Sequence, residues 1–590
     1  MDRRSFIQSS IAAGVVGGAA CADGVLPGQC ASANGSSPGR SDAGGAPGTS
    51  SPTDFPGRTG TPGERDWAAM SRVDMKPPQP IGAHVRVVGS GVMATTDHPY
   101  ATEAALWALE RGGTAVDAYI TAALAQCVLE PTMTTLGGGF GVTCYDAATD
   151  ELSTAGGAFA FPSGAPASEP YEEAPSWTGF GAMVPGYVRG LEAAHGAYGR
   201  LPWQDLWEPA IAFAENGFVI DHTLWAYTHH YRKMVGRFAG PGRDNWFRDG
   251  YLLGVGDTVH QPELAATMAR LRDEGGDYFY TGPFARKLVD EVARRGGGIT
   301  IDDLAAMQGF VSPSWKSGEP GGAPYRDYEI APSSGLLFLL GLQLFEAADL
   351  RSMGPPTESI EALHIQMRVA QELWLRGADV TPANQDDFIS PDNARRVWRD
   401  IQNSPPRPFV GFAAATCGNV IVDAEGNVAA GTHSSSSEPF GTGINIDGVV
   451  MNRATYLRKY TDLPVGFSTQ FWLFRDGRPA LVMATPSRSL MECLLQGVAN
   501  FVEYGMDGEQ VVQAPRFGHP HPGIASAEIE GDFGDEAIAE LEARGHALFP
   551  VSPRDANMGS IHAVRRLDDG RLEGVADPRR RGRASGGAEE

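Results

Sequence analysis

Cysteine, histidine, glycine and hydroxyl side chains are the residues of this sequence able to do chemistry, and their spacing excludes several kinds of it. Cys127, Cys144, Cys417 and Cys493 are scattered without any C-x-x-C spacing, so neither a zinc ribbon nor a dithiol redox pair is implied. His229-His230 and His519-Pro-His521 lack the H-E-x-x-H pattern of a helical metal site, and no metal or other cofactor is implied. The glycines of Leu-Gly-Gly-Gly-Phe at 136–140 precede an apolar run of strand type, whereas a phosphate-binding glycine loop opens a helix. Hydroxyl chemistry remains. Residues 417–423 and 428–435, joined by a turn at 424–427, read as a hairpin rich in hydroxyls, and strand alternation puts Thr432 and Ser434 on one face. The run Ser434 to Ser437 also reads as a polar loop.

The elements that must position such a hairpin follow from periodicity. Residues 102–111 form an amphipathic helix closed by Gly112-Gly113, and 114–126 a second, mostly buried one. A strand follows the glycine loop, and 186–214 and 359–378 are helical regions. Beyond Pro408 the period becomes that of strands: after the first hairpin, 470–474 and 479–484 pair around Arg475-Asp-Gly-Arg478, and 490–504 is helical. Strand pairs packed on helices predict a layered α+β sandwich rather than a doubly wound parallel sheet.

The chain has 590 residues, 42% of them hydrophobic and 20% charged, with a mean hydropathy of −0.21. Those values exclude a polytopic membrane protein and a disordered chain. A net charge of −24 repels phosphate backbones, so no nucleic acid partner is expected.

The first 22 residues read as a leader. Arg3-Arg4 precedes a weakly apolar run, Ile11 to Ala20, with the small-residue exit Ala20-Cys21-Ala22, the pattern of a twin-arginine export signal. The run is too short to span a bilayer; contact with a membrane is expected only through lipid attachment at Cys21. Residues 23–63, rich in Gly, Ser and Pro, read as a flexible tether, and 579–590 as a disordered tail. A periplasmic or extracellular location is expected.

A succession of motifs resembles the gamma-glutamyltranspeptidase (gamma-glutamyltransferase) family. It comprises Gly-Gly-Thr-Ala-Val-Asp-Ala at 112–118, Val-Leu-Glu-Pro at 128–131, the glycine loop, Val-Pro-Gly-Tyr-Val-Arg-Gly at 184–190, Tyr-Gly-Arg-Leu-Pro-Trp at 198–203 and Pro-Ala-Ile-Ala-Phe-Ala-Glu-Asn-Gly at 209–217. It continues through Pro332-Ser-Ser-Gly335, Phe440-Gly-Thr-Gly443, Ala514-Pro-Arg-Phe517, Gly559-Ser560 and Asp577-Pro-Arg579. The resemblance implies an N-terminal-nucleophile (Ntn) hydrolase fold, a four-layer αββα sandwich. It also implies a precursor that cuts itself into a large subunit, 64–415, and a small one, 416–590, which form one interleaved domain as a heterodimer.

Carried onto this sequence, the family pattern makes Ala415-Thr416 the autocleavage bond and Thr416 the nucleophile, with its freed α-amine as base. Cys417 is the rival, because a thiol is the better nucleophile. Thr432 and Ser434 match the hydroxyls that face the family's nucleophile. The substrate pocket departs from the pattern. Ala158 stands where the family has an arginine for the glutamyl α-carboxylate, Ser436 replaces an asparagine, Arg453 lies where an aspartate motif is expected, and Gly466-Phe467 replaces paired serines. The oxyanion-hole glycines appear as Ser487 and Arg488, whose backbone N–H groups would donate.

The expected partner is thus a small-molecule amide, cleaved by hydrolysis or acyl transfer, and not a standard gamma-glutamyl donor. Two alternatives stay open at this stage: a true gamma-glutamyl hydrolase or transferase acting on glutathione-like substrates through a rearranged pocket, and an inactive scaffold of the same fold.

Overall fold

The computed structural model describes residues 57–72, 85–164, 178–238, 240–377, 380, 383–409, 415–436, 439–454, 468–486, 489–519 and 526–587. The leader and most of the tether lie outside these residues.

Two seven-stranded sheets carry the fold. One runs Arg583–Gly586, Met93–Thr96, Ala415–Val422, Val428–Ser436, Gly139–Asp146, Glu151–Gly157, Phe310–Val311; the other runs Arg86–Gly89, Leu572–Ala576, His562–Arg566, Arg478–Ala484, Gln470–Arg475, Tyr328–Ile330, Ala323–Tyr325. Neighbouring strands within each are antiparallel.

Alternation assigns each residue of the hairpin to a layer. Val420, Val422, Val428 and Ala430 pack with Trp472, Val482 and Val564 in a core between the sheets. Ile421 and Ala429, of opposite parity, join the helices Pro99–Glu110 and Ala115–Leu129 in a second core on the outer face. Helices Leu336–Ala347, Ile360–Arg376 and Leu490–Val502 cover the other sheet through a third core. The layers are therefore helix, sheet, sheet, helix, the αββα sandwich that the family resemblance implies.

Helix Ala115–Leu129 is buried along its whole length, as a helix apolar on every side must be. Its first turn is closed by a capping box between Thr114 and Asp117. Asp423, in the hairpin turn, accepts from the Ala115 N–H at 3.0 Å while its other oxygen accepts from the Asn427 N–H at 3.0 Å. One carboxylate thus ties the hairpin to the helix beneath it.

Three expectations are corrected. The chain from 579 to 587 is not a tail: Arg583–Gly586 pairs with Met93–Thr96 at a sheet edge, and Arg579 and Arg580 are buried. Arg579 is held there by an ion pair to Glu530 at 2.6 Å. The docked body also begins before residue 64, because Arg58 donates to Glu103 at 2.8 Å and the Gly63 N–H to Glu110 at 2.6 Å. The helical region 186–214 is two helices, Tyr187–Tyr198 and Glu208–Asn216, broken at Gly199, where the helix ends in extended backbone.

Candidate active site

Thr416 lies at the start of its strand, and Thr416, Gly418, Val420 and Val422 share the face between the sheets. Thr416 opposes Ser434 and Gly418 opposes Thr432, so the two hydroxyls expected to face Thr416 do share its face. One residue earlier the register slips: Ala415 opposes Ser436, leaving Ser435 as the extra residue of a bulge. Ser436 sits at φ +84°, a left-handed conformation uncommon outside glycine.

The bulge turns Ser434 into the hub of the site. Its hydroxyl donates to the Ala415 carbonyl oxygen at 2.5 Å, accepts from the Ser436 N–H at 2.8 Å, and stands 3.0 Å from the Thr416 hydroxyl. A serine has one proton to give. With that proton on the Ala415 carbonyl, the Thr416 hydroxyl must donate to Ser434. Thr432 stands apart, its hydroxyl 2.7 Å from that of Thr469.

Cys417 points the other way. It is fully buried on the helix side of the sheet beside Met133, with Sγ 3.5 Å from Glu130 Oε2. Burial pushes its thiol well up, and Glu130 and Asp97 push it further. Glu130 itself is raised to about 7, by burial first and then by Asp97. His433, of the same parity as Cys417, is held neutral by burial, which takes it down to about 3; it is 2.8 Å from the Thr134 hydroxyl and 3.0 Å from Gln126.

Three residues that the sequence did not single out fix the strand from behind. Asp97 accepts from the Gly418 N–H at 2.9 Å and from His562 Nε2 at 2.8 Å. Burial alone would push its carboxyl up; His562, Arg580 and the Gly418 N–H hold it below the usual carboxylate range. Arg580 Nη1 donates to the Thr416 carbonyl oxygen at 3.0 Å. Its closeness to the Asp577-Pro-Arg579 motif was the available signal.

Of the remaining expected residues that are described, Ser436 and Arg453 adjoin Ser434 and Ala158 stands apart. Ala158 is exposed just past the strand Glu151–Gly157. Ser436 is buried, and its hydroxyl finds no hydrogen-bond partner among the described residues. Arg453 is half-buried and bridges to Ser436, its N–H donating to the Ser435 carbonyl at 3.1 Å. The adjacent Asn452 clamps the glycine loop, donating to the carbonyls of Gly137 at 2.8 Å and Met183 at 2.9 Å. Gly466, Phe467, Ser487 and Arg488 lie outside the described residues.

Comparison with known proteins places these features in a family. The family model Gamma-glutamyltranspeptidase matches residues 101–457 and 468–587. The glutathione hydrolase proenzyme of Bacillus subtilis (strain 168) is 28% identical over 573 residues, covering 87% of this chain and 94% of its own. The acylase ACY 1 proenzyme of Pseudomonas sp. (strain SE83) is 28% identical over 545 residues, covering 83% and 92%. Among solved structures, cephalosporin acylase from Bacillus halodurans superposes with a TM-score of 0.73 over 87% of this chain and 98% of its own, at 22% identity, a likeness of fold. The chain belongs to the gamma-glutamyltranspeptidase family, and with it to the Ntn-type amide hydrolases and acyltransferases.

Proposed function

We propose that this protein is an exported, self-processing amidase that cuts its own Ala415-Thr416 bond and then uses Thr416 to cleave an amide other than a standard gamma-glutamyl one. The observation that carries this reading is the Ser434 hydroxyl, bonded at once to the Thr416 hydroxyl and the Ala415 carbonyl. Attack by the Thr416 oxygen on that carbonyl needs the carbonyl polarised and the hydroxyl proton received, and Ser434 is bonded to both groups. Relatives named proenzymes support a processed chain, with the part ending at Ala415 and the part 416–590 as the subunits of a heterodimer.

Once cut, Thr416 carries its own α-amine, which with a reference pKa of about 7.7–8.0 accepts a proton near neutrality. The hydroxyl attacks the substrate amide carbonyl, its proton passes through the α-amine to the leaving amine, and an ester to Thr416 forms. Water or a second amine then attacks the ester and releases the acid or a new amide. Cys417, facing the helices with a raised thiol pKa, is unsuited to this role.

The uncharged, exposed Ala158 supports a donor without a free amino-acid head group, since no guanidinium stands there for its carboxylate. Export rests on Arg3-Arg4 and the run that follows, with lipid attachment at Cys21 a further option. A chromogenic gamma-glutamyl anilide set beside simple acyl anilides tests the substrate reading: acyl anilides should be turned over in preference, and turnover of the glutamyl compound alone overturns it.

A further inference from the structure

Glycines floor the sheet face that carries the Thr416 hydroxyl. Opposed residues of antiparallel strands share a face. Ser434 opposes Thr416 and Gly139, Thr432 opposes Gly141, and Gly141 opposes Gly156. Gly139, Gly141 and Gly156 therefore share the face of Thr416, on the two strands beyond Ser434. At a strand spacing of about 4.8 Å, the strand of Gly141 runs roughly 10 Å from that of Thr416.

Aromatic rings cover two of these glycines and leave the third bare. A methyl built on Gly139 would stand 2.9 Å from the Phe159 ring; one on Gly156 would meet the Phe140 carbonyl oxygen at 2.7 Å and then the Phe310 ring at 3.3 Å. On Gly141 the nearest atom among the described residues is the Thr432 carbonyl oxygen, 3.9 Å away. Among the described residues the space over Gly141 is open, flanked by the two rings. It reaches solvent, because Gly141, Thr432, Ser434 and Phe159 are half-buried and Phe310 is 46% exposed. None of these residues carries a charge.

We propose that this gap is the acyl pocket and that it takes an extended apolar acyl chain, whose carbonyl lies at Thr416 and whose far end lies over Gly141 between Phe159 and Phe310. The inference rests on the reading that an amide substrate acylates Thr416. Phe159 and Phe310 are its specificity-determining walls, and Gly141 sets its depth. Each methylene buried in the gap is worth about fourfold in kcat/KM, equivalent to ~0.8 kcal/mol.

The test measures kcat/KM of the self-cut protein on acetyl, hexanoyl, decanoyl and gamma-glutamyl p-nitroanilides, with intact mass of the 416–590 fragment reporting the acyl ester. The wild type should gain about fourfold for each methylene from hexanoyl to decanoyl, the length that reaches Gly141. Gly141→Val should lower decanoyl turnover more than tenfold while acetyl turnover stays within threefold. Phe310→Ala, a change at an exposed site that leaves folding intact, should flatten the same slope. A wild-type gain with chain length that both variants leave unchanged puts the pocket elsewhere and spares the amidase reading. Turnover of the glutamyl compound alone, or no turnover by cut protein, removes the apolar acyl class together with that reading.

Discussion

Arg580 Nη1 donates to the Thr416 carbonyl oxygen at 3.0 Å across 164 residues of sequence. The guanidinium is buried with its Nε bonded to the Ala556 carbonyl at 3.1 Å, so it is fixed from one side and holds the threonine from the other. Arg580→Ala should slow self-cutting roughly ten- to hundredfold, the value of one charged hydrogen bond at about 1.5–3 kcal/mol. Timed denaturing gels of freshly made precursor measure this. Cutting at the wild-type rate would reduce Arg580 to a packing residue.

Ser434 is predicted to matter to rate more than to stability. Ser434→Ala should slow cutting by about 10²–10⁴-fold, the usual worth of a positioned proton-transfer group, with the unfolding midpoint little changed. Ser434→Thr keeps the hydroxyl and should recover most of the rate. Equal rates in both variants would show that the hydroxyl is not used.

Cys417 separates the two candidate nucleophiles by the face each occupies. Cys417→Ala should leave the cleavage junction and its rate within a few-fold of wild type, while costing about 1 kcal/mol of stability for the small cavity. Loss of cutting in this variant alone would transfer the nucleophile role to the thiol.

Glu130 should make stability fall as pH rises. Its folded value, about 7, lies above its ordinary 4.5 because burial, and then Asp97, disfavour the charged form. Below about pH 4.5 both states are protonated and nothing is lost. Between that value and 7 the unfolded chain releases the proton first, so stability drops across this window and levels off above it. Glu130→Gln should therefore gain on the wild type in denaturant midpoint from pH 5 to pH 8. A constant difference across that range would contradict the assignment.

The hairpin read at 417–435 was legible because its alternation is clean as far as Ser434: even positions face the second sheet and odd positions the helices. The bulge at Ser435 was not, since nothing in a run of serines marks which one is extra. The end of the chain misled, because Arg, Gly and Ser read as a solvated tail until strand Met93–Thr96 and the acids Glu530 and Asp577 are brought beside them. Asp97 and Arg580 meet the strand of Thr416, at Gly418 and at Thr416 itself, only through the fold. Gly141 carries no side chain to single it out in sequence, and its meaning depends on the fold bringing Phe159 and Phe310 near it.

The central claim is that the Ala415-Thr416 bond is cut by Thr416 itself. Intact-mass analysis of the purified, denatured protein tests it most directly. The account predicts a fragment of residues 416–590 with Thr416 at its amino terminus, and a single uncut chain for Thr416→Ala. An uncut wild-type chain, a junction at any other bond, or cutting that survives Thr416→Ala would contradict it.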